Sequence, residues 1–269
     1  MVEVDELKPH EEIIPSIVRQ LADEVMREEK LRDPLIVDRE YHIILDGMHR
    51  FNSLKQLRCR FVPCCLVNYD SPLIKVGSWF RLFKVENEEA ISEELLREAK
   101  VNYSKQHVDP KNLNYTGQTV IMTRLGYEFL LPEPMDLIQR SRTAVVLEKA
   151  MVRKGPPVKY LSEIVAMQEL KNSSDSNLVI SLPIFTKQQI RDFGLTGRLL
   201  PHKVTRHVIP SRPLEIDVPL QMLTDRDISI EEANRKLGNL LASKRINRKP
   251  AGSVVEGRRY EEELLIFGP

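Results

Sequence analysis

The chain has 269 residues, 42% of them hydrophobic and 29% charged, with 40 basic against 39 acidic side chains and a formal net charge of +1. That length supports one large domain or two small ones around a substantial core, and the balanced charge gives no global drive toward nucleic acid or an anionic membrane. No apolar run approaches the ~18 residues of a membrane helix, and "MVEVDELKPHEE" lacks the basic start and apolar stretch of a signal peptide, so a cytoplasmic protein is expected.

In chain order, "VEVDEL" alternates as a first strand and "KPHEE" follows as a turn. "PSIVRQLADEVMREEK" has proline at a helix start and a helical face of Ile17, Val18, Leu21, Val25 and Met26. "PLIVD" and "YHIIL" are short strands joined by a hairpin-length link. "MHRFNSLKQL" predicts a helix with Phe51, Leu54 and Leu57 on one side. "RFVPCCLVNYD" reads as a buried strand and "IKVGSWFRLF" as another, which makes residues 1–83 a β-α-β-β-α-β-β core.

The middle carries helices at "NEEAISEELLREAK", whose acidic first turn suits the helix dipole, at "DLIQRSRTAVVLEKAMVRKG", closed by Gly155, and at "VKYLSEIVAMQELKNSS". "NLVISLP" is a strand, and "TKQQIRDFGLTG" opens on a Thr186/Gln189 capping pattern. "HKVTRHVIP" predicts a short strand between Pro201 and Pro210. The last stretch, with Lys244, Arg245, Arg248, Lys249, Arg258 and Arg259 among few apolar residues, reads as a flexible basic extension.

Three cysteines, Cys59, Cys64 and Cys65, form no CxxC pair, so a zinc or redox motif is not indicated and buried structural thiols are expected. Three other clusters could carry chemistry. In "ILDGMHRF" a strand ends at Asp46, Gly47 breaks it, and His49 and Arg50 open a helix. Free N–H groups at a helix start, two cationic side chains and an acid able to hold Mg²⁺ suit phosphate. The same spacing also fits a turn capped by Asp46 with a solvated Arg50. Glu11 in "LKPHEE" could serve as a general base, or, with Glu12, simply favour the next helix start. In an alternating strand Lys203, Thr205 and His207 share one face and Arg206 takes the other, giving an anion site or a solvated edge. Trp79, the single tryptophan, fits a core, an interface or a pocket wall.

"KPHE", then "ILDGMHRFNSLKQL", then "KVTRHVIPSRPLEIDVPL", in that order, resemble the free L-serine kinases of the ParB/sulfiredoxin-like superfamily, over the first ~80 residues and roughly residues 183–222. The resemblance implies an α/β (α+β) fold: a ParB/sulfiredoxin-like nucleotide- and phosphate-binding core at 1–83, an α/β substrate-completing region packed against it at 84–240, and the basic extension at 241–269. It implies phosphoryl transfer from ATP, or from ADP, to the hydroxyl of L-serine with Mg²⁺, giving O-phospho-L-serine for cysteine biosynthesis. Glu11 is then the catalytic base, and Asp46 and His49 order the metal and the transferring phosphate. Gly47, Met48 and Arg50 complete the phosphate cradle, and Lys203 and Thr205 face the nucleotide. Trp79, Thr205, Arg206 and His207 face serine. Where the family often has "DGHHR", this chain has Met48, so a backbone N–H is the contact expected there.

Two alternatives follow from the same superfamily. A ParB-like, nucleotide-dependent DNA-binding regulator would need a helix-turn-helix with a basic face, which the sequence does not display. A sulfiredoxin-like reductase would need a reactive cysteine at the phosphate loop, whereas Cys59, Cys64 and Cys65 lie beyond the helix.

Overall fold

All four residues of the strand Leu35–Asp38 are buried, which makes it the centre of a three-stranded sheet. Ile44–Asp46 lies antiparallel on one side and Cys64–Val67 parallel on the other. The computed structural model describes residues 1–268 except 114, 116 and 173. Its chain divides into two units, Met1–Lys75 with Lys187–His202 and His207–Pro269, and Val76–Thr186 with Lys203–Arg206. These units are discontinuous, where the sequence suggested three consecutive segments. Residues from Val76 onward join the second unit because Phe80–Lys84 pairs with Lys159–Leu161 and with Asn177–Ile180.

In the first unit, helices Pro15–Glu28 and Met48–Gln56 share a core with the central strand. Pro15 stands at the start of the first helix, and Glu29, in the left-handed region at φ 53°, ends it. Val18, Ala22 and Val25 form its buried stripe. Met26, expected inside, is 50% exposed, since it sits 100° round the helix from Val25. Phe51 and Leu54 bury the second helix as its periodicity requires.

"RFVPCCLVNYD" is two strands. Phe61–Val62 pairs antiparallel with Val2–Glu3, Pro63 interrupts, and Cys64–Val67 continues in the sheet; proline offers no ladder donor. Cys59 is buried, whereas Cys64 and Cys65 are half-buried. Burial raises the Cys59 thiol to about 11 and the Cys64 thiol to about 12, so both stay protonated and unreactive at neutral pH. Helix Lys187–Thr196 returns to this unit and meets Ile43 at Gly194, where a Cβ would stand 2.8 Å from an Ile43 side-chain carbon.

The expected flexible extension is folded. Leu264–Gly268 runs parallel to Arg212–Leu214 and antiparallel to Arg245–Lys249. Leu264 and Ile266 alternate into a small core with Leu214 and Tyr260, and strand pairing over that alternation is what orders the basic segment. Helices Leu220–Thr224 and Ile230–Ala242 complete the unit.

The second unit is a six-stranded sheet. Its order is Lys159–Leu161, Phe80–Lys84, Asn177–Ile180, Thr119–Thr123, Tyr127–Leu130, Ser104–His107, with every pairing antiparallel. Helix Glu88–Glu98 starts where the Asn87 side chain accepts the Ala90 N–H, and Leu137–Arg153 starts where Asp136 accepts from Ile138 and Gln139. Gly155 at φ 114° follows the second of these. "VKYLSEIVAMQELKNSS" is not one helix: Lys159–Leu161 is a strand, Ser162 accepts the Val165 N–H, and the helix is Glu163–Asn172. Ser173 of that stretch lies outside the described residues. "IKVGSWFRLF" likewise splits into Lys75–Gly77 and Phe80–Lys84. Among the described residues no helix is long and apolar enough to cross a membrane.

Candidate active site

Gly47 turns the strand Ile44–Asp46 into the helix Met48–Gln56 at φ 104°, with no side-chain cap on the helix. A Cβ at Gly47 would lie 3.0 Å from Leu35 Cγ, so both backbone conformation and space select glycine. Asp46 is therefore not the cap. Its Oδ2 accepts from Arg212 Nη1 and lies 3.9 Å from Arg50 Nη2. Arg50 is not simply solvated either, because its Nη1 donates to the Pro34 carbonyl at 2.8 Å. The Met48 side chain is buried in the apolar core, which leaves its backbone as the part that can meet a ligand. The helix-start N–H groups and positive dipole end remain suited to an anion.

His49 Nε2 accepts the Ile14 N–H at 3.0 Å. A backbone amide only donates, so this nitrogen is bare and the neutral ring carries its proton on Nδ1. The contact ties the helix start to the segment that carries Glu11. That segment is more than a turn: Lys8 bridges Ile43 and Glu11 bridges Leu200, both in parallel sense. Glu11 is 8% exposed, and helix Pro15–Glu28 has no acidic residue in its first turn, so helix-start stabilisation does not account for Glu11.

Beside it, the fully buried His10 donates from Nδ1 to the Ile44 carbonyl at 2.7 Å, and its Nε2 lies 3.9 Å from Glu11 Oε1. Burial pulls His10 below the ordinary histidine range, against the attraction of Glu11. His207 packs edge-on to it at 6.1 Å and its Nε2 shares a 2.8 Å hydrogen bond with Tyr69 OH. Burial first, then His10, lowers His207 to about 3. His207 is therefore neutral, and it brings no positive charge to a substrate carboxylate.

The strand expected at "HKVTRHVIP" is confined to Arg206–Val208. Lys203 adopts the left-handed region at φ 56°, which no strand tolerates, so the face-sharing of Lys203, Thr205 and His207 does not arise. Lys203, Thr205 and Arg206 belong to the second unit, and His207 to the first. Within the second unit the Lys203 ammonium stands 5.4 Å from the Trp79 ring and Arg206 Cζ 5.2 Å from it, cation–π contacts with the indole. Arg81, fully buried, donates from Nε to Glu148 at 2.9 Å and from Nη1 to the carbonyls of Trp79 at 2.6 Å and Lys203 at 3.0 Å. Glu148 also accepts from Tyr160 OH. Thr205 and Arg206 are buried.

No family model matches the chain. In sequence it is similar to the ADP-dependent L-serine kinase SerK of Thermococcus kodakarensis, 25% identical over 228 residues that cover 82% of this chain and 91% of the relative. It is also similar to an ATP-dependent L-serine kinase of Desulfurococcus mucosus, 26% identical over 235 residues, covering 83% of this chain and 90% of that protein. The chain is a homologue of these L-serine kinases. In fold it matches SbnI with C-terminal truncation from Staphylococcus aureus, with TM-score 0.68 and 19% identity over 90% of this chain and 94% of that one. A free serine kinase in complex with AMP matches with TM-score 0.65 and 22% identity over 82% and 92%. The likeness spans the middle of the chain as well, beyond the motifs that first suggested it.

For this serine-kinase homologue the structure adds residues that sequence reasoning missed: His10, Tyr69, Arg212 and Glu262 in the first unit, and Arg81, Glu148 and Tyr160 in the second. None sits in a local pattern that separates a buried charge or ring from a surface one. Among the described residues no group of three or more His, Cys, Asp or Glu side chains gathers as a metal cage.

Proposed function

We propose that the protein is a free L-serine kinase, which transfers a phosphoryl group from ATP, with ADP as the alternative donor, to the serine hydroxyl. The observation that carries this reading is the Asp46–Gly47–Met48 joint: a strand-end carboxylate beside a glycine-capped helix start whose first side chain is turned into the core. The similarity to proteins named as ADP- and ATP-dependent L-serine kinases supports the substrate assignment.

Phosphoryl transfer asks mainly for position and charge neutralisation. The serine oxygen attacks the terminal phosphorus, the bond to the leaving nucleotide oxygen breaks, and Glu11 takes the hydroxyl proton. Backbone N–H groups at Gly47 and Met48 and the Nδ1–H of His49 meet phosphate oxygens. Arg50, already bonded to Pro34, contributes positive field rather than a mobile clamp. Lys203 and Thr205 serve the nucleotide, while Trp79, Thr205 and Arg206 serve serine, with Arg206 meeting its carboxylate. His207 supports from its buried place. Mg²⁺ would supply charge neutralisation across the phosphates, and Asp46 is the residue to hold it. A single carboxylate is chemically sufficient, since Mg²⁺ commonly takes one or two carboxylates and completes its shell with phosphate and water. The product, O-phospho-L-serine, feeds cysteine biosynthesis.

The test is ³¹P NMR of the protein with L-serine, Mg²⁺ and either ATP or ADP. A phosphoserine signal is expected, slowed by about 10²–10⁴-fold in Glu11→Gln, the usual worth of a general base. No turnover with either nucleotide, together with salt-sensitive DNA binding, would overturn the reading.

A further inference from the structure

The Arg212 guanidinium is almost fully buried, and three of its nitrogens are engaged. Nε donates to Glu262 Oε1 at 2.7 Å, Nη2 to the His207 carbonyl at 2.9 Å, and Nη1 to Asp46 Oδ2. Glu262 is itself buried, with 2% of its side chain exposed, while the Asp46 side chain is 28% exposed. The Arg212 N–H also donates to the Glu263 carbonyl at 3.0 Å, where Arg212 sits in register with Leu264. A buried carboxylate and two backbone bonds thus hold a rigid fork, and one tine of it holds the strand-end carboxylate.

We propose that Arg212 and Glu262 are positioning residues for Asp46, so that the C-terminal segment is part of the active-site framework. This deepens the kinase reading and rests on it for its catalytic consequence. Glu262 fixes the guanidinium plane and balances its charge. Arg212 then sets which way the Asp46 carboxylate faces and how much of its negative charge remains for a cation. Lysine cannot replace it, because an ammonium lacks the planar geometry that spans Glu262, Asp46 and a carbonyl together.

The experiment has two arms. In kinetics, Glu262→Gln and Arg212→Lys are expected to lower kcat by about 10–100-fold, the usual cost of losing a partner that orients a metal-binding side chain, with KM for serine within about twofold. Adding Glu262→Gln to Asp46→Asn is expected to change kcat little further, since both act through one carboxylate. Leu264→Ala serves as the control: it weakens the same sheet, lowers Tm and leaves kcat of the folded fraction in place. Full additivity in the double variant, or an equal kcat loss in Leu264→Ala, overturns the proposal. In the second arm, crystal structures of Glu262→Gln and Arg212→Lys are expected to show the Asp46 carboxylate turned from its wild-type rotamer. An unmoved Asp46 overturns the proposal whether or not the wild type phosphorylates serine. A wild type without turnover overturns the kinase reading alone.

Discussion

Each unit holds a buried arginine paired through Nε with a buried glutamate, Arg212 with Glu262 and Arg81 with Glu148. The two arginines spend their remaining donors differently. Arg212 reaches the side chain of Asp46 as well as the His207 carbonyl, whereas the Arg81 Nη1 reaches the backbone carbonyls of Trp79 and Lys203. In the proposed reading the first positions the carboxylate that would hold the metal; the second holds a chain path, including the left-handed backbone at Lys203. A buried ion pair is weak evidence for stability on its own, but its hydrogen bonds are strong evidence for what is being held in place.

The largest effect that can break this comparison comes from removing the acids. Glu148→Ala leaves the Arg81 charge buried and should cost about 3–5 kcal/mol. Glu262→Ala should cost less, about 1–3 kcal/mol, because Arg212 keeps its bond to Asp46. Urea unfolding of the two variants checks the order, and equal losses would show that Asp46 does not share the charge.

Acid should weaken the first unit next. His10 and His207 are both held below the ordinary histidine value of about 6.5, His207 at about 3. The unfolded chain protonates these rings first as pH falls, so their stability contribution is intact above pH ~6.5 and is lost below it. The slope is up to about 1.4 kcal/mol per pH unit for each ring until its folded-state pKa is reached. His207→Gln should flatten the fall of Tm between pH 6.5 and pH 4, and an unchanged slope would place the titration elsewhere.

Left-handed backbone gives the third contrast. Gly47→Ala meets a φ of 104° and Leu35 at 3.0 Å, and should cost about 1–3 kcal/mol along with activity. Lys203→Gly should change stability by less than about 1 kcal/mol, since relief of the backbone offsets glycine's added entropy. Its effect should appear in nucleotide affinity. The smallest effect is expected for Met48→Leu, below about 1.5 kcal/mol with kcat unchanged; a large loss of activity would show that the Met48 side chain meets the ligand.

Glycine at 47 and proline at 15 act within a few residues, so the strand end and helix starts beside them were legible in the sequence, whereas the break at Pro63 was hidden in a continuous apolar run. The exposed strand Ser104–His107 was not legible, because its four residues show no apolar alternation. Nor was the C-terminal sheet, whose basic strand Arg245–Lys249 is exposed throughout and is ordered only by pairing with Leu264–Gly268.

The sequence by itself determined the strand–glycine–helix joint at Asp46–Met48 and the resemblance that attached a phosphate to it. Local periodicity and turn chemistry suffice for that. Only the tertiary structure decided that Met48 faces the core, that His207 is neutral, and that Arg212 stands between Glu262 and Asp46. Those outcomes depend on burial and on partners 50 and 166 residues apart, and a charge carries no local mark of the company it will keep once buried.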